Sequence, residues 1–374
     1  MGRAQPNINL RSSVLEWPLV LVSLALAVVG LGLIYSAVSP MGPSGRSFIL
    51  RQLTWSSLGL VMMAAFLLMD YRVLERWAIW LYVAVVAALI VVWAVGKVTA
   101  GSKRWIDFGL MRFQPSEFAK LAVVIVLAKY FQGTPGRDVL HGLDLIKPLL
   151  LVAVPVGLVL IQPDLGTAVV IVLVATCMTL FVGLSRSVWL WALGTSVAAV
   201  PLFFILGDRL LLGYQKERLA TFLNPGFDPL GSGYHIMQSQ IAIGSGGIFG
   251  KGFLQGTQNQ LMFLPVKHTD FIFSTLAEEW GFVGCMAVLA LFCILFLRGL
   301  GVAARARDSF GALAAFGCTI IIFWHLMINV AMVMGMIPVV GVPLSFLSYG
   351  GSSLVSSFLV IAILVNISMR RFSY

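Results

Sequence analysis

Charge is scarce in this sequence: Asp, Glu, Lys and Arg make up 11% of its 374 residues, and the acids number 15. Soluble domains carry about a quarter charged residues, so a soluble globular fold is excluded. Cysteine is scarcer still. Cys177, Cys285, Cys293 and Cys318 all fall inside apolar runs, with neither metal-ligand spacing nor paired loop positions. That pattern excludes a thiolate metal centre and a disulfide framework, and leaves the four as packing residues. The chain also lacks an internal period, a low-complexity segment and a basic tract. A repeat array and a nucleic-acid partner are therefore set aside.

What the sequence has instead is hydrophobicity, at 59% of its residues. Apolar runs near bilayer-spanning length sit at roughly 16–38, 49–69, 77–96, 114–132, 146–161, 165–184, 187–207, 271–297, 310–334 and 345–368. We expect an all-α polytopic membrane protein of about ten transmembrane helices, forming one domain over 1–374. The first run is too long for a signal-peptide core and leads into more membrane, so it is expected to be a retained helix. With the N-terminus in the cytoplasm, short inner loops hold Arg3, Arg11, Arg72, Arg76, Lys129, Arg137, Lys147, Arg186, Arg298, Arg305, Arg307, Arg370 and Arg371. Short outer loops hold fewer: Arg46, Arg51, Lys97, Lys103, Arg104 and Arg112. Cytoplasmic positive charge sets orientation, so both termini are expected inside, and the net charge of +10 reflects this bias plus contact with anionic lipid headgroups. Lys103, Arg104 and Arg112 run against the bias, at a connection where a helix bundle needs no charge. An anionic ligand does.

One long connection, about 208–270, is rich in Gly, Pro, Asn and Gln and cannot span. Loops beyond about 15 residues in compact proteins are usually lids, binding elements or disordered segments. Within it, Tyr234–Gly244 has helical apolar spacing with a polar face, which predicts an interfacial or re-entrant helix. The glycines that follow, from Gly244 to Gly256, allow tight turns and close backbone approach but give only a weak phosphate-binding signal.

Just beyond the loop, Leu264 to Gly284 carries Asp270, Glu278 and Glu279 into an apolar segment. A carboxylate in a membrane helix costs at least a few kcal/mol, so such residues are functional candidates. Counting from Asp270, Ser274, Glu278 and Gly281 fall on one helical stripe, with Glu278 about 12 Å deeper. Other polar clusters lie at helix ends on the same side: Gln114-Pro-Ser-Glu117 with Lys120, and Gln162-Pro-Asp164. Each has a plain structural explanation: Pro115 and Glu117 suit the first turn of a helix, and Asp164 or Asp270 suits an N-cap. Three acids converging on one face, balanced by Arg104 and Lys120, favour a site. His325 and Asn329 share a helical face and are expected to form an interhelical hydrogen-bond pair. Gly341 to Ser353 opens the last run with small, hydroxylic residues, suited to close packing or to lining a polar cavity.

Four of these motifs, in this order, resemble the signatures of the SEDS family (shape, elongation, division and sporulation): Gln114-Pro-Ser-Glu117, Gln162-Pro-Asp-Leu-Gly166, Lys267-His-Thr-Asp-Phe-Ile-Phe273 with Ala277-Glu-Glu-Trp-Gly281, and Ser348-Tyr-Gly-Gly-Ser-Ser353. Gly256-Thr-Gln-Asn-Gln-Leu261 and Gly341-Val-Pro-Leu344 are more similar to the elongation branch than to the division branch. Val266-Lys267 and Trp280 depart from the usual residues at flanking positions only.

The resemblance implies a peptidoglycan glycosyltransferase of the cytoplasmic (inner) membrane that polymerises lipid II, an undecaprenyl-diphosphate-linked disaccharide-pentapeptide, at the outer face during cell elongation. Displacing the lipid diphosphate by a sugar hydroxyl needs a general base, for which Asp270 is the candidate. Arg104, Lys120, Arg218, Lys267 or a divalent cation (Mg or Mn) held by carboxylates would stabilise the departing diphosphate. Glu117 and Asp164 would orient these cations or tune the base, with Glu278 and Ser352 in support. The family further implies a class B penicillin-binding protein as partner, together with other elongation-complex membrane proteins and membrane lipids. Two alternatives stay open: a flippase for the same lipid, since intramembrane acids also occur in transporters, and a non-catalytic scaffold for a cell-wall synthase. Polar groups clustered at the outer ends, with few on the cytoplasmic side, favour the polymerase.

Overall fold

The computed structural model describes residues 16–99, 102–107, 112–133, 140–190, 213–224, 231–263 and 268–372. Its long helices are α1 (Trp17–Val38), α2 (Pro43–Leu68), α3 (Arg72–Val95), α4 (Pro115–Gln132), α5 (Ile146–Ile161) and α6 (Leu165–Val182), then α10 (Ile272–Ala304), α11 (Ser309–Val333) and α12 (Gly351–Met369). Eight stretches are long and apolar enough to cross a membrane. The fourth expected span, α4, is not among them because it carries Glu117, Lys120 and Lys129, yet it is buried along most of its length. Neighbouring helices, not lipid, surround Glu117 and Lys120. The seventh expected run, 187–207, lies outside the described residues from 191 onward.

Burial sorts the helices into a centre and a periphery. α12 and α11 are largely enclosed, whereas α2, α3 and α5 keep most of their surface open. On α3 the open residues include Trp77, Ile79, Trp80, Val83, Ile90, Val91 and Trp93. So large an apolar surface suits hydrocarbon, and tryptophans near both ends of the helix suit the two membrane interfaces.

Two features depart from the sequence expectation, the sheet and the break in α10, and the long connection adds helices to the one expected there. A small antiparallel sheet, β1 (Lys97–Thr99), β2 (Ser102–Asp107) and β3 (Arg112–Phe113), fills the connection between α3 and α4, paired in the order β1-β2-β3. The long connection contains α7 (Gly213–Leu223), α8 (Ser232–Gly246) and α9 (Thr257–Gln260). The helix expected at Tyr234–Gly244 is α8; it packs on α10 and α11, where Ser239 Oγ lies 2.8 Å from Ser274 Oγ and donates to the Val333 carbonyl at 2.7 Å. Finally, α10 begins at Ile272 and is broken at Gly281, where φ is 63° and ψ is −162°.

The break at Gly281 lets the loop after α8 dock on α10. A Cβ there would stand 2.3 Å from the Gly250 amide nitrogen, and one at Gly250 would stand 2.2 Å from the Glu279 carbonyl oxygen. The freed backbone groups find partners across the break: Lys251 N donates to Glu278 O, Gly252 N to Glu279 O, Phe282 N to Gly247 O and Val283 N to Ile248 O, all at 2.9–3.0 Å. Such pairing keeps an interrupted helix viable among apolar neighbours.

Candidate functional site

The N-terminal ends of α4, α6, α10 and α12 meet on one face of the bundle. Asp164 is the N-cap of α6, accepting from the Thr167 amide at 3.3 Å and from the Thr167 hydroxyl at 2.9 Å. Its carboxylate also accepts from Ser116 Oγ and Gln114 Nε2, each at 3.2 Å, which ties the start of α4 to the start of α6. Arg104, on β2, donates to the carbonyls of Gln162, at 3.1 Å, and Pro163, and lies 3.7 Å from Asp164. The hairpin missed at the sequence level thus holds the guanidinium in place. Ser352, the second residue of α12, accepts from the Gln114 amide at 3.0 Å and donates to the Arg112 carbonyl at 3.4 Å, joining β3 to α4 and α12.

Glu117 and Lys120 form a buried pair at 2.9 Å, as their spacing of three residues on one helix allows. Lys120 Nζ also lies 2.7 Å from His325 Nε2, and His325 Nδ1 lies 3.1 Å from the Pro343 carbonyl oxygen. Asn329, one turn along α11, donates to the carbonyls of Asp270, at 2.9 Å, and Val342, at 2.8 Å. The expectation of interhelical hydrogen bonds from His325 and Asn329 is met: side by side at i and i+4 on one face of α11, each reaches outward to partners on other elements.

Asp270 itself precedes α10, whose N-cap is Phe271. Neither the N-cap role nor the single stripe from Asp270 through Glu278 holds, because α10 begins at Ile272, two residues beyond Asp270. Asp270 retains partial exposure, while the protein packed around its carboxyl desolvates it and pushes its pKa up to about 6. The charges of Arg218 and Arg104 oppose the shift, Asp164 adds to it, and a hydrogen bond with Thr269 lowers it. Asp270, Arg104, Asp164 and Arg218 therefore share one electrostatic neighbourhood. The segment before Asp270 is fixed to the last helix entry, where Ser348 Oγ donates to the Thr269 carbonyl at 2.6 Å and Tyr349 N donates to the His268 carbonyl at 2.8 Å.

Glu278 looks elsewhere. It pairs with Lys251 Nζ at 2.7 Å and accepts from Thr257 Oγ1 and Gln258 N, each at 3.0 Å, anchoring the glycine-rich loop. Glu279, given no separate role from sequence, accepts from Ser36 Oγ and, at 3.3 Å, from Asn259 Nδ2, joining α1 to α9. Lys267 lies outside the described residues. Among the described residues no three His, Cys, Asp or Glu side chains gather to hold a metal ion.

Fold and site together define a polytopic helical membrane protein with carboxylates and cationic side chains gathered at one end of the bundle. A sequence model described as cell cycle protein, of the FtsW, RodA and SpoVE type, matches residues 16–372, and the chain belongs to this SEDS family. The chain is 43% identical over 343 residues to the peptidoglycan glycosyltransferase MrdB of Escherichia coli K12, covering 91% of each chain. It is 33% identical to the peptidoglycan glycosyltransferase RodA of Treponema pallidum, covering 95% of this chain and 98% of that one. Among solved structures, it resembles a chain from a study of structural coordination of polymerization and crosslinking by a peptidoglycan synthase complex, with TM-score 0.83, 30% identity and coverage of 96% and 99%. The rod shape determining protein RodA of Thermus thermophilus matches with TM-score 0.70, 27% identity and coverage of 99% and 100%.

Proposed function

We propose that this chain is a peptidoglycan glycosyltransferase of the elongation type, polymerising lipid II at the outer face of the cytoplasmic membrane with both termini in the cytoplasm. Four helix N-termini pointing at one face create positive potential where a diphosphate must sit. Arg104 and Arg218 add formal charge there, with Lys120 behind them. The observation that carries the reading is Asp270, a desolvated carboxyl between these cations with a pKa of about 6. A base of that strength is largely ionised at neutral pH and takes a proton more readily than an ordinary carboxylate.

In this reading the acceptor sugar's 4-hydroxyl attacks C1 of the donor sugar, the C1–oxygen bond to the lipid diphosphate breaks, and the hydroxyl proton passes to Asp270. Arg104 and Arg218 stabilise the charge that gathers on the departing diphosphate. The leaving group supplies the free energy, so the reaction needs no nucleotide. Asp164 fixes Arg104, Glu117 fixes Lys120, Ser352 fixes the entry of α4, and Glu278 anchors the glycine-rich loop to α10. The connection 208–270 serves as the extracytoplasmic part of a single transmembrane domain, with Met237 and Ile241 on the open face of α8 resting on lipid.

A class B penicillin-binding protein is the proposed partner, supported by the likeness to a synthase complex that couples polymerisation and crosslinking. The test is reconstitution of the purified chain in vesicles with labelled lipid II, with and without that partner. Glycan polymer is the expected product. Labelled lipid that crosses the bilayer without polymerising would favour the flippase instead.

A further inference from the structure

We infer that His325 and Asn329 are a positioning pair that sets the separation between Lys120 and Asp270; the inference rests on the glycosyltransferase reading. The two lie one helical turn apart on α11, a rise of about 6 Å. Each joins one site residue to one carbonyl of the same strap: His325 takes Lys120 and the Pro343 carbonyl, and Asn329 takes Asp270 and the Val342 carbonyl. Both side chains are buried.

The strap is stiff where this matters. Pro343 has a fixed φ, and the peptide that carries its carbonyl is oriented from the far side, where Leu344 N donates to Ser348 Oγ at 2.8 Å. Gly341 turns at φ 73° directly beneath the Asp270 carboxyl, where a Cβ would approach Oδ2 to 3.4 Å. Asp270 and Lys120 come from elements distant in sequence, yet both are referred to consecutive carbonyls and to one rigid helix.

The chemistry of His325 follows from its partners. A carbonyl only accepts, so Nδ1 carries the proton and donates to Pro343; an ammonium only donates, so Nε2 offers its lone pair to Lys120. The imidazole is therefore neutral. It orients the ammonium without cancelling its charge, which a second carboxylate in that place would do. Lys120 thus keeps its positive charge, balanced by Glu117 alone.

The test measures kcat and KM for lipid II polymerisation by the full chain reconstituted with its class B partner. His325→Leu is expected to lower kcat by about 10²-fold, the cost of a misplacement of about 1 Å, with little change in KM. His325→Gln keeps an acceptor for Lys120 and a donor for Pro343, and is expected to recover most of the loss. In a Lys120→Ala background His325→Leu is expected to cost no more than about twofold, since its effect passes through that lysine. A purely structural role would cost the same in both backgrounds and would overturn the inference, as would a Gln variant no better than Leu or a Leu variant equal to wild type. If His325→Leu does not purify as a folded protein, His325→Met, flexible and apolar, is read in its place. Wild-type polymer with unaffected His325 variants sinks this inference alone; wild type that makes no polymer sinks the glycosyltransferase reading with it.

Discussion

Glu117 and Lys120 illustrate what local spacing reveals about a residue. Three positions apart on one helix, they pair at 2.9 Å, and Asp164 caps α6 as its place after Gln162-Pro163 suggests. Their pairing predicts that Glu117→Ala and Lys120→Ala are non-additive: because removing either leaves the other a lone buried charge, the double variant should lose much less activity than the two single losses multiplied together. Simple multiplication of the two losses in the polymerisation assay would show that they act separately. His325 and Asn329 were legible only as a shared face, because their partners come from the start of α4, the segment before α10 and the strap at 342–343. No local pattern connects Lys120 to a histidine 205 positions away. Asp270 titrates near pH 6. Turnover should therefore rise with pH through about 6 as the base ionises, and Asp270→Asn should abolish that limb. Folding stability carries the opposite sign. The folded state holds this proton more tightly than the unfolded chain, so the contribution is full below the ordinary carboxylate range and is lost as pH rises through about 6. Thermal unfolding in detergent across pH 4–7 checks it, with a flatter profile expected for Asp270→Asn.

At the scale of elements, hydropathy located the spans because lipid imposes long apolar runs on each peripheral helix, and α8 was legible from its own periodicity. The sheet at 97–113 was not. Its strands are short, and their residues read more readily as a basic loop than as an alternating pattern. The break in α10 was equally hidden, since Ala277 to Gly284 reads as one helix and a glycine within a helix has no distinctive signature. What exposes Gly281 is the loop docked against it. Gly281→Ala would force a side chain into φ 63° and into the Gly250 amide 2.3 Å away. Positive φ alone costs about 1–3 kcal/mol in a residue other than glycine. The variant should lower the unfolding temperature in detergent and release the loop to proteolysis near Lys251; an unchanged temperature and cleavage pattern would mean that the loop is not held by this break. Glu278→Gln weakens the same anchorage by removing the charge that binds Lys251, and should increase cleavage in the loop without altering the pH limb assigned to Asp270.

The whole molecule separates enclosure from exposure: α11, α12 and the charged α4 are inside, α2, α3 and α5 face lipid, and the polar groups proposed for catalysis gather where four helices begin. Such one-sided gathering suits a reaction at one membrane surface better than a route through it. Family membership was legible from four short motifs, whereas the way they meet depended on contacts among 114–120, 162–167, 268–270 and 341–352. The proposed reaction turns on Asp270 taking the proton at that surface. The most direct measurement supplies labelled lipid II only in the leaflet that exposes the 208–270 connection, in vesicles containing either the wild-type chain or Asp270→Asn, each with its class B partner. Removal of a general base costs about 10² to 10⁴ in rate. Glycan polymer is expected from wild type and a loss of that size from Asp270→Asn, with the variant folded and inserted normally; wild-type polymer yield from Asp270→Asn would remove Asp270 from the role of base.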